Sequence, residues 1–313
     1  MTDLQFWKGK RVLVTGGAGF LGSYVVENLV QQRGVPARDV VVARSRHHDL
    51  RRLEACLEVV QRCDVVIHLA AVTGGIAFSR AHPASQYYDS TLMDLNMAEA
   101  ARRAGVQKMV GIGNLFAYAA DAPVPLTEDS LFQGLPAGPH RGVGWLKRNL
   151  ALLADLYHRE HGLAMVAVYS ANAYGPRDSL DPLHAHVIPA TIMKCLREKE
   201  LVVWGDGTPT RDFLFAADVA EGLLLAAEKL EPPAFVNIGS ESEISIRELI
   251  ELITRYSGFS GKVTYDASKG AGDARRLASA ARARELLGFR PRVPIEDGLK
   301  RTVEWYRERL AAL

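Results

Sequence analysis

RVLVTGGAGFLG, residues 11–22, decides the fold. An apolar β-branched run ends at Thr15, glycines follow at Gly16, Gly19 and Gly22, and an amphipathic stretch with Tyr24, Val25, Val26 and Leu29 comes next. In this strand-turn-helix context the three glycines permit a tight turn, close approach to a pyrophosphate, and close packing of helix on strand, with backbone N–H groups facing phosphate. Outward from this unit, DVVVA, DVVIHLA, KMVGIG and LAMVAVYS are further short β-branched runs separated by helical patterns. That alternation predicts a parallel sheet covered by helices. QQRGVPARD, residues 31–39, supplies the glycine and proline that stop the first helix before the second strand. The expected class is α/β: a Rossmann-like doubly wound parallel sheet with a smaller C-terminal substrate-binding lobe.

After Tyr174-Gly175-Pro176 the rhythm changes to a loop, a helix near Val187 to Lys199, the strand LVVWG and a turn at DGTPT. We expect a nucleotide-binding domain over residues 1–172 that also receives segments near 212–240, and a ligand-facing lobe mainly over 173–313. FAADVAEGLLLAAEKL and FVNIG are the segments expected to return to the main sheet, so the boundaries interleave. The 313 residues are 48% hydrophobic and 24% charged, with a formal charge of +2. That balance gives no field suited to nucleic acid or a membrane surface, and a small anionic ligand fits it better. No apolar run reaches the about eighteen residues of a membrane span, and the start has no signal-peptide pattern. A cytoplasmic protein is expected. Cys56, Cys63 and Cys195 are odd in number and lack metal-ligand spacing, which suggests buried free thiols.

After the second strand, Ala43-Arg44-Ser45-Arg46 lacks the acidic residue that accepts the adenosine ribose hydroxyls. Arg44 is suited to a 2′-phosphate, favouring NADP, although a solvated surface arginine is the competing reading.

TGGAGFLG, HLAA at His68 to Ala71, Lys147 and AYGPRD at Ala173 to Asp178 together resemble the extended short-chain dehydrogenase/reductase family of nucleotide-sugar enzymes, across almost the whole chain. Within it, VTGGI (72–76), HVIPA (186–190), VVWGDGTPTRDF (202–213) and YDASKG (265–270) look like the GDP-L-fucose synthase branch. The resemblance implies a tyrosine four residues before Lys147, where this chain has Val143. It likewise puts Asn114 at the catalytic Ser or Thr position and Phe116 at the cysteine position of that branch. Asparagine still donates and accepts hydrogen bonds, but neither valine nor phenylalanine transfers a proton. His186 matches the remaining acid/base residue, so His186, Lys147 and Asn114 are the catalytic candidates.

On the substrate side the resemblance implies Trp204 as a platform for guanine, Arg211 and Lys269 as contacts to diphosphate or ribose, and Asn172, Val187 and Val203 as further contacts. Asp178, Asp181 and His184, in DSLDPLHAH, are candidate ligands for a divalent ion on the diphosphate, against the reading of ordinary loop residues. NADP is therefore expected as a cofactor that is working, vestigial or absent. Three functions stay open: non-redox isomerisation of a GDP-linked hexose, either pyranose-furanose ring interconversion or epimerisation; NADPH-dependent reduction of a GDP-4-keto-6-deoxy-sugar; and GDP-sugar binding without catalysis. The resemblance also implies a homodimer through helices near Leu92 to Ala104 and Lys147 to Glu160.

Overall fold

The structure is a computed structural model that describes residues 3–136, 138–181, 184–268 and 273–312. Strands β1 (Val12–Thr15), β2 (Val40–Ala43), β3 (Val65–His68), β4 (Lys108–Asn114) and β5 (Met165–Ser170) appear where the apolar runs predict them. They alternate with helices α1 (Leu4–Trp7), α2 (Phe20–Gln31), α3 (Leu53–Val59), α4 (Ile76–Ala81), α5 (Pro83–Arg103) and α6 (Arg141–His161). The second half contributes β6 (Asn172–Tyr174), α7 (Val187–Arg197), β7 (Glu200–Trp204), β8 (Thr210–Arg211), β9 (Phe213–Phe215), α8 (Ala216–Lys229) and β10 (Ala234–Ile238). It closes with β11 (Ile244–Ser245), α9 (Ile246–Ser257), β12 (Lys262–Asp266), β13 (Arg275–Arg276), α10 (Ala281–Leu287) and α11 (Ile295–Ala311).

The main sheet runs β2-β1-β3-β4-β5-β10 with every pairing parallel. All residues of β1, β3 and β5 are buried, because helices cover both faces and leave no polar side to the strands. The chain reverses direction across the sheet between β1 and β3, which opens a crevice at the carboxyl ends of those strands. α8 and β10 do return to this domain, α8 against α2 and β10 beside β5. A second core gathers Ile188, Ile192, Leu201, Phe213, Leu249 and Tyr306 under the smaller lobe.

A buried ion network ties α2 to α8. Arg33 donates to Glu221 and, at 3.1 Å, to Glu228, while the Trp7 indole N–H reaches Glu228 at 2.7 Å. Burial pushes the Glu221 carboxyl up, but the hydrogen bond and charge of Arg33 outweigh it and hold the group below its ordinary value. Removing one partner from such a set leaves an uncompensated charge in a dry site. Arg33→Met is therefore expected to cost about 3–5 kcal/mol, read as a lowered denaturant midpoint. A midpoint equal to wild type would contradict this role for the network.

Candidate functional site

The crevice begins at the glycine turn. Gly16 sits at φ +67°, and a Cβ there would come within 3.1 Å of the Ala70 nitrogen. A Cβ on Gly22 would lie 2.2 Å from the Gly16 carbonyl oxygen, so the first turn of α2 packs on the loop only as glycine. Gly19 is the N-cap of α2. The loop N–H groups and the helix N-terminus thus form the cradle that a pyrophosphate fits. Arg44 and Arg46 are exposed beyond β2, where a 2′-phosphate arm has room.

Under the loop runs a polar chain not foreseen from HLAA. Thr15 Oγ1 accepts from the N–H groups of Leu69 at 3.0 Å and Ala70 at 3.1 Å and meets His68 Nδ1 at 2.8 Å. With both lone pairs engaged, the hydroxyl donates to Nδ1, so the Nε2–H of His68 donates to Asp94 at 3.1 Å. This sets the spacing of β1 and β3 beneath the crevice.

The centre lies where β4 ends against α6. Asn114 Oδ1 accepts from the Phe116 N–H at 3.1 Å, capping the turn Leu115–Ala117. Its amide N–H groups make no hydrogen bond to described residues. Lys147 is not an exposed helix lysine: it is 8% exposed and donates to the Ile112 carbonyl at 2.9 Å. Burial lowers its pKa, opposed by Asp94. Val143, half-buried, stands on the same face one turn before it.

Phe116 lies flat on the ring of His140, with centroids 3.9 Å apart and planes 23° apart. The Arg276 guanidinium sits 5.9 Å from the same phenyl ring and holds the Leu115 carbonyl at 2.7 Å and Asp273 at 2.8 Å. Arg276 pairs in register with Arg211, so two motifs distant in the chain meet. Arg211 is half-buried, donates to the Thr210 carbonyl at 2.7 Å, and has its pKa lowered by burial. His140, Arg276 and Asp273 are absent from the sequence-based candidates. The available signal was a titratable ring three residues before Val143.

In the smaller lobe, β12 pairs with β7 so that Asp266 stands opposite Trp204, bringing Tyr265–Ser268 beside VVWGDG. Trp204 is 49% exposed, and the turn that follows it borders a cleft of about 520 Å³ lined by Gly205, Asp206, Thr208, Pro209, Ala267 and Arg275. Lys269 lies outside the described residues. The Val203 side chain is buried in the lobe, so that position offers a ligand its backbone rather than its side chain. Val187 is exposed at the start of α7, and the Asn172 amide is held by the Asp212 carbonyl at 3.0 Å.

His186 caps α7 without a side-chain cap hydrogen bond, and its ring is more than half exposed. Its Nδ1 lies 3.9 Å from Asp178 Oδ2, a buried oxygen with no hydrogen-bond partner, while Oδ1 accepts from the Ser179 N–H at 2.7 Å. Asp181 pairs instead with His184 at 2.7 Å. The three candidate metal ligands therefore do not converge, and no group of His, Cys, Asp or Glu among the described residues is arranged to hold an ion.

Residues 12–239 match the NAD dependent epimerase/dehydratase family. The chain is 33% identical over 310 residues to a GDP-L-fucose synthase of Sinorhizobium fredii, covering 97% of each chain. It is 30% identical over 317 residues to the Escherichia coli GDP-L-fucose synthase, covering 96% of this chain and 97% of that one. Among solved structures, a Naegleria fowleri GDP-L-fucose synthetase superposes with a TM-score of 0.86 at 27% identity, covering 99% of this chain and 96% of the other. The Thermotoga maritima UDP-glucose 4-epimerase with UDP-glucose gives 0.84 at 28% identity, covering 96% and 99%.

Burial pushes the Asp178 carboxyl above its ordinary 3.8, with His186 pulling the other way. A carboxyl raised in the folded state holds its proton more tightly there than in the unfolded chain, so stability is lost as pH rises from 3.8 towards the raised value. Asp178→Asn removes that loss. It should raise the denaturant midpoint at neutral pH and leave it unchanged in acid below this window; a lowered midpoint at neutral pH would contradict the assignment.

Proposed function

Because the chain belongs to the NAD dependent epimerase/dehydratase family, whose named relatives act on nucleotide sugars, we propose that it is an enzyme that isomerises a GDP-linked hexose without net hydride transfer, by pyranose-furanose ring interconversion in preference to epimerisation. The observation that carries this reading is the centre itself. Val143 and Phe116 are inert to protons, while Lys147, the partner of a lost tyrosine, is turned into a hydrogen bond with Ile112. Reduction of a keto-sugar needs an acid beside the oxygen that gains charge, and neither of the two substituted positions offers one.

Ring interconversion needs a different set of groups. Opening the pyranose breaks C1–O5 and delivers a proton to O5; closing the furanose forms C1–O4 and removes the proton of the O4 hydroxyl. Atoms and electrons balance without an oxidant. His186, exposed at the N-terminus of α7, is suited to one proton transfer, and Asn114 has free amide donors for a sugar oxygen. Arg211 supplies a fork for the diphosphate and Trp204 a face for guanine.

The dinucleotide cradle at Gly16, Gly19 and Gly22 fits NADP with Arg44 on its 2′-phosphate. When bound, such a cofactor supplies or accepts hydride, and the proposed isomerisation draws on no hydride. The intact cradle is also the observation that favours the second reading, an NADPH-dependent reductase of a GDP-4-keto-6-deoxy-sugar. Exposed Tyr88 and Leu95 on α5 and Trp145, Leu152 and Leu156 on α6 give those helices an apolar face suited to a homodimer, which we place in the cytoplasm. Among the described residues no helix is long and apolar enough to cross a membrane.

Incubation with GDP-L-fucose and related GDP-hexoses is expected to produce new furanose anomeric signals by NMR, with no change in nicotinamide absorbance. Unchanged sugars across the panel would contradict the isomerase reading, and nicotinamide oxidation dependent on a GDP-4-keto-6-deoxyhexose would establish the second.

A further inference from the structure

We propose that His140 is the base that takes the O4 proton in furanose closure, at the N-terminus of α6 beside Val143. The geometry is specific. His140 is the N-cap of α6, three residues before Val143, so the two positions share a helical face about one turn apart. The ring is clamped flat on Phe116 at 3.9 Å, which fixes its plane without using either nitrogen. Neither nitrogen makes a hydrogen bond with a described residue, which leaves both for a ligand. The phenylalanine that replaces a proton-transferring residue thus serves as the bed of the imidazole.

The surroundings belong to the ligand-facing parts of both lobes. α4, which starts at the end of the VTGGI segment, packs against the turn Gly138–His140. Four charged groups act on the ring from the elements around it: Asp273 and Arg276 at β13, Arg80 on α4 and Arg211 on β8. Burial, then the three arginines against Asp273, bring the imidazole below its ordinary 6.5. At neutral pH the ring accepts a proton, and Asp273, anchored by Arg276 at 2.8 Å, stabilises the imidazolium that results. In furanose closure His140 Nδ1 or Nε2 takes the O4 proton while C1–O4 forms. In the reverse direction the imidazolium returns that proton to O4 as C1–O4 breaks.

This inference deepens the isomerase reading, and its test separates the two. His140→Gln keeps a polar side chain that does not titrate. With GDP-L-fucose as substrate its kcat should fall about 10²- to 10⁴-fold with KM nearly unchanged. In the wild type the acid limb of kcat/KM should lie below 6.5, and this limb should vanish in the variant. By NMR the His140 Cε1–H signal of the wild type should shift with GDP-L-fucose and not with GDP. Wild-type kcat in the variant, or a signal indifferent to the sugar, would overturn the proposal. If the wild type isomerises nothing but reduces a GDP-4-keto-6-deoxyhexose, the isomerase reading fails and the variant is scored on that reduction by the same criteria. If it does neither, the NMR response alone decides, and His140→Asn serves where the glutamine variant does not fold.

Discussion

The seat of α6 against the end of β4 is the constraint on which the centre depends. A Cβ at Gly144 would lie 2.5 Å from the Phe116 carbonyl oxygen, so helix and strand end touch through backbone. Arg148 then forks onto three carbonyls, Ala117 at 2.5 Å, Gly134 at 2.8 Å and Gln133 at 3.0 Å, while Lys147 holds Ile112. A guanidinium buried to 2% exposure is tolerable because each of its bonds is charge-assisted and directed by the planar fork. This docking fixes Val143, His140, Asn114 and Phe116 relative to one another. Any chemistry at the sugar is set by that register.

Electrostatics on the two sides of the crevice differ in kind. Beneath the glycine turn, Thr15, His68 and Asp94 hold one another through hydrogen bonds, and Asp94 raises the pKa of Lys147 against the effect of burial. Towards the sugar, Arg211, Arg276 and His140 bring positive charge and a titratable ring together, and Asp178 keeps an unpartnered oxygen towards His186. In the first arrangement Asp94 Oδ2 likewise lies buried without a hydrogen-bond partner. The second leaves donors and acceptors for a ligand, as expected of a site that pairs with its substrate.

Much of the fold was legible in the sequence because its signals are local. Five β-branched runs became five parallel strands, three of them buried at every residue, and the glycine turn sits between β1 and α2 with the spacing its residues imply. β10 pairs with β5 although nearly seventy residues separate them, a contact that no local signal carries. The site was only partly legible, since its contacts join distant segments. His140 matters through Phe116, Arg211 and Arg276, and no periodicity connects residues 116, 140, 211 and 276. Lys147 sits on an amphipathic helix, yet it is buried because the carbonyl of Ile112 takes its ammonium. Asp178 and Asp181, close in sequence, part company because one is buried towards His186 and the other stays at the surface with His184.

In the proposed reaction no hydride moves. Turnover of GDP-L-fucose carrying deuterium at C4, compared with the protiated sugar under single-turnover conditions, reads this directly. Equal rates and full retention of deuterium in the product are expected. A slower deuterated sugar, or deuterium appearing on the nicotinamide, would show that hydride transfer takes part after all.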